Sequence, residues 1–168
     1  MSAASEDVLL ELSRLEAVHL RGLVNQFVDL LTGSPDAATD PAISRLVPSA
    51  YPDDESAAAQ FRSATQPELL RRRTHDAAAV LADLAIAGDV TDPQSLSESA
   101  ARTEFTLALD RGRAASWMRT LAAVRLVLAS RLGITSEDDH DPDDPRFGVY
   151  EWLGYRLDQL TRAASAAA

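Results

Sequence analysis

The segment Leu10-Glu11-Leu12-Ser13-Arg14 returns 97 residues later as Leu107-Ala108-Leu109-Asp110-Arg111. At the same offset Ala17 meets Ala114, Leu20 meets Trp117, Val24 meets Leu121 and Leu31 meets Leu128. Each copy reads as a short strand, a polar capping residue and a long helix. Successive strand side chains leave opposite faces, so Leu10 and Leu12 share one face, as do Phe105, Leu107 and Leu109. Two such units can pair their strands about a pseudo-two-fold axis. The expected fold is mainly α, a helical domain with a small two-stranded antiparallel β ribbon. A short apolar pattern also recurs by chance.

Local signals divide the chain further. Strand 7–12 leads into a helix over 14–31, opened by a Ser13–Glu16 capping box and stopped at Gly33. Ala17, Leu20, Val24, Phe27, Val28 and Leu31 form its apolar stripe, with His19, Gln26 and Asp29 on the other side. Asp40-Pro41 caps a short helix over 41–46. Pro48 and Tyr51-Pro52 break the chain before another short helix at 53–62. Thr65-Gln66-Pro67-Glu68 reads as a second capping box opening a separate helix over 66–87. A Gly-, Asp-, Pro- and Ser-rich linker spans 88–102. Strand 103–109, a helix at 111–132, an acidic loop at 134–148 and a helix at 149–163 complete the chain. A length of 168 residues fits one domain with one core.

Composition bounds the chemistry. The basic residues are 16 arginines and no lysine, against 26 Asp plus Glu, for a formal charge of −10. Such a surface repels duplex DNA, so weak binding to naked DNA at best is expected. With no cysteine, disulfides, thiolate metal sites and thiol redox switching are excluded. The first residues lack the basic-then-apolar order of a signal peptide, and no apolar run approaches the ~20 residues of a membrane span. A cytoplasmic protein without membrane contact is expected.

Six residues stand out as candidate partner or anion contacts. Arg125 falls within the apolar stripe of the 111–132 helix and calls for a carboxylate on a neighbouring element. A sharper alternative makes it an anion or ligand site beside Trp117. Arg71 and Arg72 belong to the one basic run and project from a polar helix face; a solvated, salt-bridged face competes with binding of phosphate or an acidic partner. Val149, Leu153, Leu157 and Leu160 should pack the last helix on the domain. Trp152 then lies to one side and Tyr155 nearly opposite, as a partner surface or beneath the 134–148 loop. Asp139, Asp141 and Asp143 have the opening spacing of a calcium loop, but Asp144 replaces its turn glycine and Tyr150 its closing acid. No metal or cofactor is expected. His19, His75 and His140 are scattered, and no phosphate loop, dinucleotide fingerprint or nucleophile elbow occurs, so no catalytic residue is assigned.

Several segments together resemble a known family. They are Ser13-Arg14-Leu15-Glu16-Ala17, Asp40-Pro41-Ala42 to Arg45-Leu46, Pro48-Ser49-Ala50-Tyr51-Pro52-Asp53-Asp54 and Phe61-Arg62. Trp117-Met118-Arg119-Thr120-Leu121 to Arg125-Leu126-Val127-Leu128, Arg131-Leu132-Gly133-Ile134-Thr135 and Tyr150-Glu151-Trp152-Leu153 complete the set. The chain resembles an actinobacterial domain-of-unknown-function family encoded near the ClpS adaptor of Clp proteolysis, which includes AosR-type oxidative-stress transcription regulators. The resemblance implies a non-enzymatic regulatory protein acting through protein contacts with the transcription machinery. It also implies, as an alternative, a binding module linked to Clp components. A homodimer, a small-ligand-binding protein and an unrecognised enzyme are the other readings. Two departures matter: the cysteine pair of the described regulators is missing, and Ala122-Ala123 stands where the family pattern carries Asn-Asp.

Overall fold

The computed structural model describes residues 7–33, 39–47, 49–136 and 139–167. Strand β1 (Val8–Ser13) pairs antiparallel with β2 (Glu104–Leu109). Leu10 faces Leu107, Leu9 faces Ala108 and Glu11 faces Thr106. Residues 97 apart therefore meet at the centre of the ribbon, and the flanking pairs exchange on rotation about that point. This is the register a two-fold relation between the strand–helix units requires. The inner face carries Val8, Leu10, Leu12, Leu107 and Leu109 into the core, while Leu9 faces outward.

Each strand turns directly into a long helix, α1 (Arg14–Gly33) or α5 (Arg111–Leu132). The Ser13 capping box forms in full: the Glu16 amide donates to Ser13 Oγ at 3.2 Å, and the Ser13 amide donates to Glu16 Oε2 at 2.9 Å. Asp110 plays the corresponding part for α5, accepting from the Arg113 amide. Gly133, at φ +74°, closes α5 in the left-handed conformation that glycine adopts without a Cβ clash. The stripes of both helices are buried except at half-buried Val28 and Leu128, with Trp117 fully enclosed.

Helix α2 (Pro41–Leu46), capped by Asp40, packs on α5. The expected division between helices at 53–62 and 66–87 does not occur. One helix, α3 (Glu55–Leu84), runs straight through Pro67. Proline cannot donate to the carbonyl of Ser63, but both residues are exposed, where water can replace the missing donor. The local capping groups are engaged elsewhere: Thr65 Oγ1 donates to the Phe61 carbonyl, and Glu68 accepts from Arg71 and Arg72. Thirty residues make a helix about 45 Å long. No residue from 55 to 75 is buried, and α3 enters the core only from Asp76 onward.

The 88–102 segment, expected as a plain linker, contains a 3-10 turn at Pro93–Ser95 and a one-turn helix, α4 (Glu98–Ala101). Asp92 and Ser97 cap them locally, which is how so polar a stretch becomes ordered. The last helix, α6 (Gly148–Ala166), packs on α5 and β1. Leu153 and Leu160 are buried and Leu157 half-buried, but Val149 is 47% exposed rather than packed on the body. It sits in the first turn of α6, at the edge of a groove described below. Among the described residues no helix is long and apolar enough to cross a membrane.

Candidate partner-binding surface

Three ionic networks lock the helices together. In the first, Asp83 on α3 accepts from Trp117 Nε1 at 2.8 Å and from Arg113 on α5. This seats Trp117, fully enclosed, as the central anchor of the core, its indole bound to the chain's own carboxylate and not open to an external anion or ligand. In the second, Asp76 accepts from Arg119 Nε at 2.7 Å, Arg119 Nη2 at 2.8 Å and Ser116 Oγ at 2.8 Å. The Arg119 bonds, against an opposing effect of burial and with help from Ser116, hold the Asp76 carboxyl below its ordinary range.

The third network joins the two ends of the chain. Glu16 accepts from Trp152 Nε1 at 3.2 Å and from the Arg156 guanidinium, in addition to the Ser13 amide. Burial alone would raise its carboxyl. The bonds from Arg156, Ser13 and Trp152 outweigh burial and hold it lowered. Trp152 is thereby fixed, half-buried, over the start of α1.

Beside this network lies a groove of about 510 Å³ between α1, the Pro93 turn and the start of α6. Leu15, Val18, Leu23, Val149 and Trp152 supply most of its wall, with Glu16, His19 and Gln26 as polar groups. Gly22 opens its floor: a Cβ there would meet nothing within 4 Å. A second hollow, of about 350 Å³, shares Leu23 and Gln26 and extends over Leu30 and Val127 to Arg131. Half-buried Leu15, Leu23 and Leu30 of α1 thus line the two hollows, alongside the exposed His19 and Gln26.

A family model described as a domain of unknown function (DUF2017) matches residues 1–164. The chain belongs to this family. No curated protein and no solved structure matches it significantly.

In this DUF2017 chain the six residues singled out by sequence do not form one site. Arg71 and Arg72 are exposed and pair with Glu68 one helical turn away. Arg125 differs from its expected ion pair. Its Nε donates to the Tyr150 carbonyl at 3.3 Å, and its guanidinium lies 3.9 Å from the Tyr150 ring centroid. Among the described residues it makes no ion pair, because aromatic contact and an open cleft replace the carboxylate that a fully buried arginine would need. That cleft also contains Tyr155, which is 58% exposed, so the 134–148 loop does not cover it. The loop turns to α5 and α6 instead. His140 meets Glu151 at 2.5 Å and packs its ring against Phe147 and Tyr150.

Two of the calcium-like aspartates, Asp139 and Asp141, accept from nearby backbone amides. Asp139 accepts from the Thr135 and Ser136 amides at 2.7 Å and from the Thr135 hydroxyl, which lower its pKa to about 2. Asp141 accepts from the Asp143 amide. Glu137 and Asp138 lie outside the described residues. Sequence reasoning missed the Glu16, Asp76 and Asp83 networks, whose arginine, tryptophan and serine donors lie far away in the chain. It also missed the groove, whose one local signal is Gly22 within an otherwise strong helix.

Proposed function

We propose that this DUF2017 protein is a non-enzymatic cytoplasmic regulator that acts by binding another protein in the α1–α6 groove. The observation that carries this reading is the groove itself, with Trp152 fixed by Glu16 and Val149 left open to solvent beside it. Concave apolar surfaces containing a pre-positioned aromatic side chain are where binding energy concentrates. The occupant that fits is an amphipathic helix, with its apolar face on Leu15, Val18, Leu23 and Trp152. A chain of net charge −10 favours a basic polar face on that helix and raises its encounter rate.

The resemblance to AosR-type regulators supports a partner in the transcription machinery, an RNA polymerase subunit or a sigma factor. Any signal reaches this chain by a route other than thiol oxidation, since it has no cysteine. Blocking the groove tests the reading. A Cβ at Gly22 meets nothing within 4 Å, so Gly22→Trp, with circular dichroism confirming the fold, should fill the groove and abolish partner capture. Capture unchanged by Gly22→Trp removes the groove from the interface.

A further inference from the structure

We propose that the exposed face of α6 binds a second copy of the chain, antiparallel about a two-fold axis and separate from the groove. Glu151, Tyr155, Asp158 and Arg162 follow one another at spacings of four, three and four residues, which places them on one helix face. Tyr155 is 58% exposed as a residue, and the side chains of Asp158 and Arg162 are 55% and 79% exposed. The Glu151 side chain is 41% exposed; its Oε1 meets His140, which leaves Oε2 for a neighbour. The charges are ordered, with an acid at the start of the face and an arginine at its end.

An isologous interface must be complementary to itself. Laying two copies antiparallel with Tyr155 opposite Asp158 places Glu151 of each chain opposite Arg162 of the other. The two-fold makes each of these meetings twice. Parallel alignment would set like charges together.

Arg125 supplies the second half of the argument. Among the described residues its one hydrogen bond uses Nε, leaving its Nη donors for a neighbour. The Tyr150 ring and the absence of a side chain at Gly154 hold the guanidinium in place. It lines the same cleft as Tyr155 and Asp158. With the copy's Asp158 standing over Tyr155, that carboxylate reaches the Arg125 side of the cleft, where guanidinium and carboxylate form charge-assisted bonds. The in-chain Asp158–Arg162 pair at 2.9 Å is exposed and weak enough to rearrange.

A net charge of −10 repels copies over the rest of the surface, which confines contact to this mixed-charge face. The footprint of one helix pair is at the small end for protein interfaces, so the dimer should dissociate on dilution. Sedimentation of the full chain from micromolar to millimolar concentration tests the proposal. The mass should rise toward twice the monomer. Arg162→Glu and Tyr155→Ala, both surface changes, should hold it at the monomer, with circular dichroism confirming the fold. Arg71→Glu makes the same charge change away from this face and should leave association intact. The proposal is overturned by a wild-type chain that stays monomeric throughout. It is overturned equally by association that survives Arg162→Glu, or that Arg71→Glu abolishes to the same degree.

Discussion

Gly154 on α6 lies so close beneath Arg125 of α5 that a Cβ built at 154 would stand 3.0 Å from the arginine Nε. Glycine within a helix ordinarily costs about 1 kcal/mol relative to alanine, so its presence here follows from the guanidinium it accommodates. Gly154→Ala alone should be neutral or destabilising, because the guanidinium must shift off the Tyr150 ring. In an Arg125→Ala background the same change should stabilise by roughly 0.5–1 kcal/mol. Urea unfolding of the four-member mutant cycle checks this. The same sign in both backgrounds would show that the two residues are uncoupled.

Arg125→Ala by itself should cost roughly 1–2 kcal/mol, the scale of a cation–π contact plus one hydrogen bond. Truncating one partner of a buried ion pair typically costs about 3–5 kcal/mol because a charge is stranded, and no carboxylate is stranded here. A loss in that upper range would point to a carboxylate partner that this geometry lacks.

Asp83→Ala should act through Trp117. The indole Nε1 would lose its acceptor inside the core, whereas Arg113, with half its side chain exposed, can turn to water. The expected loss is roughly 1–3 kcal/mol, with a change in tryptophan emission as the indole surroundings change. Arg113→Ala strands the Asp83 carboxylate, its side chain 3% exposed, with the indole as its remaining donor, so it should cost at least as much in the same unfolding assay; a smaller loss would make the indole bond, and not the ion pair, the dominant contact.

Acid should weaken the fold through Glu16 and Asp76. Both titrate below their ordinary values of 4.5 and 3.8 in the folded chain, so the unfolded chain binds their protons first. The stability they contribute is complete above those ordinary values and is lost as pH falls from about 5 downward through the lowered ones. Glu16→Gln and Asp76→Asn should each lower stability at neutral pH and flatten the decline on the acid side. Urea midpoints measured across that range check the sign: stability that rose on acidification would contradict it.

The sequence reading succeeded where structure is determined locally. The Ser13–Glu16 box, the Asp40 and Asp110 caps and the Gly133 stop involve residues at most a few positions apart, and alternation alone marked both strands. The same local logic failed at Thr65–Glu68, where a strong cap signature lies inside a helix sustained from both sides and its side chains found other partners. The groove was illegible for a different reason. Trp152 and Glu16 are 136 positions apart, and Trp117 and Asp83 are 34 apart. Periodicity shows which face of a helix is apolar but not which distant side chain meets it.

The central claim is that a protein partner binds the α1–α6 groove. Its most direct measurement is capture from a native lysate through a photo-crosslinking residue placed at His19, with and without Gly22→Trp. His19 is exposed and lines the groove, and Gly22 leaves room in its floor. The account predicts crosslinks to an RNA polymerase subunit or sigma factor that disappear when Gly22→Trp fills the groove. Crosslinks to Clp components would place the partner in proteolysis instead of transcription. No crosslinked protein, or one whose yield is unchanged by Gly22→Trp, would contradict the claim.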